Sequence, residues 1–373
     1  MYNTYRMNTG QHIDEKKRSK GRTERASLHT VLLARFSALG DVALTIPVVY
    51  SACRAYPGVN FVFLTRHPFH KLFVNPPANL TVVPCDLKDA FAGVGGMRRL
   101  AQTVYTRFKP DVFVDLHNVI RTRLLSLFLR LKGIHTYRLH KPRAQRRAMT
   151  RQRNKQMATL TPQFMRYADV FNKAGLPVEL SFDGLFAQQC PTAPLFTKGD
   201  GEKWVGIAPF AAHESKIYPP ELMEQVVATL SKIKDLRIFL FGGGQKEADV
   251  LDGWARKYPG CTSLASLKAG FPAELQLMSQ LDVMVAMDSG NMHMAAIAGA
   301  PVISIWGATH PDLGFRPWNM DPDLAIQLPL PCRPCSVFGN RPCQIGTLEC
   351  LRAITPKQIV EKINSRLYPE NQD

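Results

Sequence analysis

The chain lacks any apolar run of the roughly 18–20 residues that spanning a bilayer requires. Its first 28 residues are polar and rich in Lys, Arg, Thr and Ser, without the hydrophobic core of a secretory leader. The expectation is a cytoplasmic protein with a disordered basic tail at residues 1–28 and peripheral membrane contact at most. Also missing are a Walker P-loop, a His-Glu-x-x-His and a Gly-x-Ser-x-Gly. No short-period repeat is present. Acidic residues are scarce: 30 Asp and Glu against 47 Lys and Arg leave a formal charge of +17. That imbalance points to anionic partners, whether nucleic acid, nucleotide, phosphorylated lipid or a negatively charged surface. Residues 121–156 hold twelve Lys or Arg and no Asp or Glu at all. Few aromatics interleave with these cations and no nucleic-acid-binding motif accompanies them, so no nucleic-acid partner is expected.

What is present is a soluble globular composition, 45% hydrophobic and 21% charged, over a length of 373 residues that suits two domains. Apolar strand-like runs alternate with helical patterns. Thr30 to Phe36, Asn60 to Thr65, Leu80 to Pro84 and Asp111 to Asp115 read as strands; Val42 to Ala55 and Val119 to Leu131 read as helices. After a helix at Gln163 to Ala174 the pattern fades, then restarts with strands at Trp204 to Ala208 and Arg237 to Phe241 and helices from Pro220 and Gln245. Such alternation predicts parallel sheets with helices on both faces. The reading is a first domain over residues 29–180, a linker over 181–202, a second domain over 203–355, and a C-terminal helix (Pro356 to Leu367) and tail within 356–373.

The chemistry gathers at strand ends. A buried strand, Val283 to Ala286, runs into Asp288, Ser289 and Gly290; a helix opens with Asn291 and carries His293; a second strand, Val302 to Trp306, ends at Thr309. Strand ends and helix N-termini meet at the carboxyl edge of a parallel sheet, where free N–H groups and the helix dipole favour a phosphate. An ordinary crossover, with His293 a satisfied helix residue, is the alternative. Near the start, Gly40-Asp41 joins strand to helix, and Asp41 is either a helix cap or a base able to take a proton from a sugar hydroxyl. Lys216, in the loop after the strand at 204–208, is either solvated or placed to neutralise a leaving diphosphate. Gly242-Gly243-Gly244 precedes Glu247, a candidate for ribose hydroxyls; it is not the dinucleotide fingerprint, because the third-glycine spacing and later acidic partner are missing. Arg121 lies on a helix, while Arg143, Arg146, Arg147, Arg151 and Arg153 read as a loop whose forks match phosphate or carboxylate. Asp321-Pro322-Asp323 follows no apolar strand and does not read as a metal-holding pair. Cys53, Cys85, Cys190 and Cys261 read as buried thiols. Cys332, Cys335, Cys343 and Cys350 are either structural thiols or a zinc knot, although only the first pair has knuckle spacing.

Together these motifs resemble the ADP-heptose:lipopolysaccharide heptosyltransferases, glycosyltransferase family 9, over about residues 29–367. The likeness rests on Arg35-Phe36-Ser37-Ala38-Leu39-Gly40-Asp41-Val42, Asp115-Leu116-His117-Asn118 with Arg121-Thr122, Lys216-x-Tyr218-Pro219, and Asp288-Ser289-Gly290-Asn291-Met292-His293 with Gly307-x-Thr309-x-Pro311. Phe210 and Phe315 depart from the family pattern, standing where glycine and proline are common. The resemblance implies a GT-B fold: an α/β protein with two doubly wound Rossmann-like domains facing a central cleft. It implies an inverting, metal-independent enzyme without cofactor, with Asp41 as base and Lys216 on the leaving diphosphate. Gly40, Glu247, Asp288, Ser289, Gly290, Asn291, His293 and Thr309 would hold a nucleotide diphosphate sugar, ADP-heptose by family. Arg66, His117, Arg121, Arg143, Arg146 and Arg147 would hold an anionic lipid-linked glycan acceptor at the inner face of the inner membrane. Rival expectations are a transferase of another nucleotide sugar, an epimerase on the same scaffold, or a non-catalytic basic protein binding RNA or lipid.

Overall fold

In a computed structural model, residues 28–188 and 194–369 are described. The expected tail at residues 1–28 falls outside them apart from its last residue, as do Cys190 and residues 370–373. The first half is β1 (Thr30–Ala34), α1 (Leu39–Ala43), α2 (Ile46–Ala55), β2 (Asn60–Arg66), β3 (Leu80–Cys85), α3 (Gly93–Phe108), β4 (Val112–Asp115), α4 (Ile120–Arg130), β5 (His135–Arg138), α5 (Arg143–Met149) and α6 (Gln163–Lys173). Its five strands lie in the order β3-β2-β1-β4-β5, all parallel.

The second half holds β6 (Lys203–Ala208), α7 (Pro220–Leu230), β7 (Leu236–Leu240), α8 (Gln245–Lys257), β8 (Cys261–Ser263), α9 (Phe271–Met278), β9 (Val283–Met287), α10 (Gly290–Ala298), β10 (Val302–Ile305), β11 (Ala325–Ile326), α11 (Glu349–Arg352) and α12 (Pro356–Leu367). Its order is β11-β10-β9-β6-β7-β8, again all parallel. The two doubly wound sheets expected from the sequence are therefore present. β1 and β9 are buried along their whole length, which is why both read as unbroken apolar runs.

In each sheet the chain winds outward one way and then returns to wind the other. The reversals fall between β1 and β4 and between β6 and β9, paired at Ala34 with Asp115 and at Ala208 with Ala286. Crevices beyond the carboxyl ends of such strand pairs are where open α/β sheets bind ligands. Asp41 and His117 follow the first pair; Lys216 and Asp288 follow the second.

Two sequence expectations need correction. The single helix over Val42 to Ala55 is broken at Leu44–Thr45, because Pro47 has no N–H to continue the ladder and instead occupies the first turn of α2. The arginine-rich segment expected as a loop contains a helix, α5, with Arg146 and Met149 on its buried side. The linker segment also packs against the second half: Leu185 donates its N–H to the Ile297 carbonyl at 2.9 Å, and Trp318 Nε1 donates to the Phe182 carbonyl at 3.2 Å.

Candidate active site

Asp41 is not a helix cap. The N-cap of α1 is Ala38, and the Asp41 carboxylate pairs with Arg35 Nη2 at 2.5 Å while keeping 24% of its side chain exposed. Arg35 is buried at the end of β1 and also donates Nη1 to the Leu116 carbonyl at 3.0 Å. Burial opposes its charge, yet Asp41, Tyr167 and Asp115 outweigh that, and its pKa is raised. Tyr167, whose ring centroid lies 5.9 Å from the guanidinium, donates its hydroxyl to the Asp41 carbonyl at 3.3 Å. A partly exposed carboxylate is thus oriented by a buried guanidinium, and neither Arg35 nor Tyr167 was assigned a role from sequence.

At the second crevice, Asp288 leaves the end of β9 and accepts the Thr309 hydroxyl at 2.8 Å. Lys216 Nζ stands 3.4 Å from the same carboxylate oxygen. Ser289 is the N-cap of α10, but its hydroxyl caps nothing; Ser289 Oγ and His293 Nδ1 are buried without a hydrogen-bond partner among the described residues. Buried polar atoms are rarely left so in native proteins, and such orphans beside a helix N-terminus suit an anionic ligand. Glu247, in the first turn of α8, folds back to accept the Gly243 N–H at 2.8 Å, closing the glycine turn. Arg333 anchors the Thr309 loop from behind: it is buried, its Nε donates to the Gly307 carbonyl at 2.6 Å and its Nη2 to the Thr309 carbonyl at 3.0 Å.

The two crevices meet at a pair of glycines. A methyl group on Gly40 would overlap the His293 ring, and one on Gly290 would lie 2.5 Å from Leu39 Cδ2. α1 and α10 therefore touch through positions where only hydrogen fits, so Gly40 sets the approach of the halves. His293, buried between them, feels Asp288, Asp41 and Lys216. Burial dominates and pushes its pKa down to about 4, so the imidazole is neutral at physiological pH.

Comparison with known proteins gives the family. Residues 97–343 match the model of glycosyltransferase family 9 (heptosyltransferase). The chain belongs to glycosyltransferase family 9. It is therefore a glycosyltransferase of the heptosyltransferase family, as its motifs suggested. A lipopolysaccharide heptosyltransferase 1 of Pseudomonas aeruginosa is 24% identical over 326 residues, covering 82% of this chain and 85% of that protein. The Escherichia coli heptosyltransferase WaaC, solved with ADP, superposes with a TM-score of 0.64 at 17% identity, covering 90% of this chain and 99% of that one. A family 9 glycosyl transferase of Veillonella parvula gives 0.69 at 15% identity, with 93% and 99% covered. Both structural likenesses speak to the GT-B fold.

The expected acceptor residues of this family 9 enzyme do not form one group. Arg143, Arg146 and Arg147 line a cavity of about 790 Å3 between α5 and residues 337–344. Arg66 is exposed at the end of β2, its guanidinium 4.4 Å from the Phe69 ring centroid. Arg121 is exposed in the first turn of α4. His117 is not an open ligand: it is buried, and its Nδ1 accepts the Phe36 N–H at 3.4 Å. Burial first, then Arg35, Lys141 and Arg121, push its pKa down to about 2. Lys141, unremarked in the sequence, lies in the same cavity, its pKa pushed down to about 8 by burial and by Arg35, with Asp41 opposing.

Cys53 and Cys85 are buried as expected, but Cys261 is only half-buried in β8. Cys332, Cys335, Cys343 and Cys350 are free thiols around one small void. No group of three or more His, Cys, Asp or Glu among the described residues is arranged to hold a metal ion. Asp321 caps a short turn by accepting the Asp323 N–H at 2.9 Å. No helix among the described residues is long and apolar enough to cross a membrane.

Proposed function

We propose that this family 9 enzyme is an inverting, metal-independent transferase moving heptose from ADP-heptose to an acidic lipopolysaccharide inner-core acceptor, working at the inner face of the inner membrane. The observation that carries it is the opposition of one oriented carboxylate, Asp41, to a polar turn built from Lys216, Asp288, Thr309 and the start of α10. In this reading Asp41 takes the proton of an acceptor hydroxyl as its oxygen bonds to the anomeric carbon. The bond from that carbon to the diphosphate breaks in the same displacement, inverting the centre, and the electron pair leaves on ADP. Lys216 and the N–H groups of Ser289 to Asn291 stabilise the departing charge, which competes with Asp288 for the lysine. Arg35 pairs with the Asp41 carboxylate and holds it aimed, and Glu247 faces the ribose. Solved relatives carry ADP and ADP-2-deoxy-2-fluoro heptose, which supports that donor for this chain.

The test is ADP release from a panel of nucleotide sugars with and without a lipid-linked inner-core acceptor, followed by the anomeric configuration of the product. ADP release that needs both ADP-heptose and acceptor, survives excess chelator and inverts the anomeric centre is the expected result. Sugar conversion without acceptor would mean an epimerase instead. Inactivity combined with tight RNA or lipid binding that ignores Asp41 and Lys216 would mean a binding protein.

A further inference from the structure

The 790 Å3 cavity lies between two segments that sequence reading kept apart. One wall carries Lys141, Arg143, Arg146, Arg147, Arg151 and Arg153; the other carries Val337, Phe338 and Arg341, from the loop between the second and third clustered cysteines, and Gln344 just after the third. No acidic residue lines it. Its volume is that of a small-molecule site, sites being about 300–1,000 Å3, and so suits a charged sugar unit rather than a lone ion.

Arg146 shows that the cavity is built. It is 7% exposed, its Nε donates to the Leu313 carbonyl at 3.0 Å, and its guanidinium lies 4.0 Å from the Phe315 ring centroid. Its Nη2 is nonetheless buried without a partner among the described residues. A buried guanidinium N–H left unpaired in a wall of like charges is a donor awaiting an acceptor. Phe315, one of the two departures from the family pattern, packs in turn on Phe338 at 5.7 Å.

The cysteine loop is also tied to the reacting side. Ser215 donates its hydroxyl to the Gly339 carbonyl at 2.7 Å, and a methyl group on Gly339 would overlap the Lys216 stem. Lys155, from the basic stretch, donates to the carbonyls of Pro331, Cys332 and Pro334 at 3.0, 2.6 and 3.1 Å.

We propose that this cavity is an anion subsite spanning both halves, in which Arg341 of the cysteine loop joins the α5 arginines to seat a multiply charged group of the acceptor glycan. The assignment of the ligand to an acceptor rests on the transferase reading above; the anion site itself does not. Nucleic acid is the poorer occupant, because single strands track extended grooves with stacking aromatics, whereas these cations converge on one cavity that carries a lone Phe338.

The test is calorimetric titration at low salt and pH 7, with ADP saturating the donor turn, using inorganic pyrophosphate and citrate as phosphate and carboxylate probes. At least one probe should bind, about tenfold or more weaker in Arg341→Gln, with Arg341→Lys recovering part of the loss and ADP affinity unchanged. The probe that binds more tightly tells phosphate from carboxylate. In turnover, Arg341→Gln should raise acceptor KM about tenfold and leave kcat and donor KM within a factor of two. Arg341 is exposed, so folding should survive, and an unchanged Tm verifies it. Probe binding that depends on Arg341, with no transfer to any glycan, would keep the anion site and sink the transferase reading. Active enzyme in which Arg341→Gln alters neither binding nor acceptor KM would overturn the subsite. RNA displacing the probes more tightly than acceptor glycan would overturn the glycan assignment.

Discussion

Gly40→Ala is a small change with a calculable conflict. Gly40 lies in the first turn of α1, so alanine should favour the helix by about 0.8–1 kcal/mol. Against this, the added methyl would overlap His293 Cδ2 and sit 3.3 Å from Nε2 and 3.4 Å from Cγ. The ring is buried and cannot swing into solvent, and overpacking of this kind costs about 1–3 kcal/mol. The clash therefore wins or ties, leaving a net loss of roughly 0–2 kcal/mol, a Tm drop of at most a few degrees. Activity should suffer more than stability. Asp41 follows Gly40 directly, and displacement of a catalytic group by about 1 Å costs on the order of 100-fold. The assay is a double-mutant cycle of Gly40→Ala with His293→Ala, scored by Tm and by kcat. Removing the ring should make the second methyl nearly harmless, so the two changes must be strongly non-additive. Additive effects, or Gly40→Ala raising Tm with kcat intact, would refute the argued contact.

Other consequences are open to measurement. Lys141 is charged below its pKa of about 8, so its charge is present at pH 7 and withdrawn as the pH climbs. Acceptor KM should rise between pH 7 and 9, and Lys141→Arg should flatten the profile. The stability effect has the opposite course: the burden of a buried charge is in force below about 8 and relieved only above the ordinary 10.5, so chemical denaturation should show a gain across that range. Arg333→Ala strips donors from the Gly307 and Thr309 carbonyls, at about 1–3 kcal/mol for each group that stays buried and unpaired. It should lower Tm and raise donor KM more than acceptor KM.

Much of the fold was legible because central parallel strands are buried on both faces and so appear as uninterrupted apolar runs; β1, β6 and β9 are examples. The turns after them were legible because Asp41, Lys216, Asp288 and Thr309 are polar where packing needs no polarity. What hid was whatever depends on a distant partner. α5 is seven residues with three arginines, and no periodic apolar stripe marks it as a helix. Arg333, Lys155 and Arg35 act through carbonyls or a carboxylate that the fold brings to them. His117 was assigned to the acceptor through the family resemblance, and tertiary burial turns its ring inward onto the Phe36 N–H. The cysteine loop drew notice for its sulfur; the cation it sends into the cavity is Arg341.

The account turns on Asp41 as the proton acceptor in a cleft whose donor side works without it. The direct measurement is ADP affinity and single-turnover heptosyl transfer for Asp41→Asn, side by side with the unaltered enzyme. ADP should bind with unchanged affinity while transfer falls by about 10²–10⁴-fold, the usual contribution of a general base. Transfer within a few-fold of the unaltered enzyme, in a folded variant that still binds ADP, would contradict it.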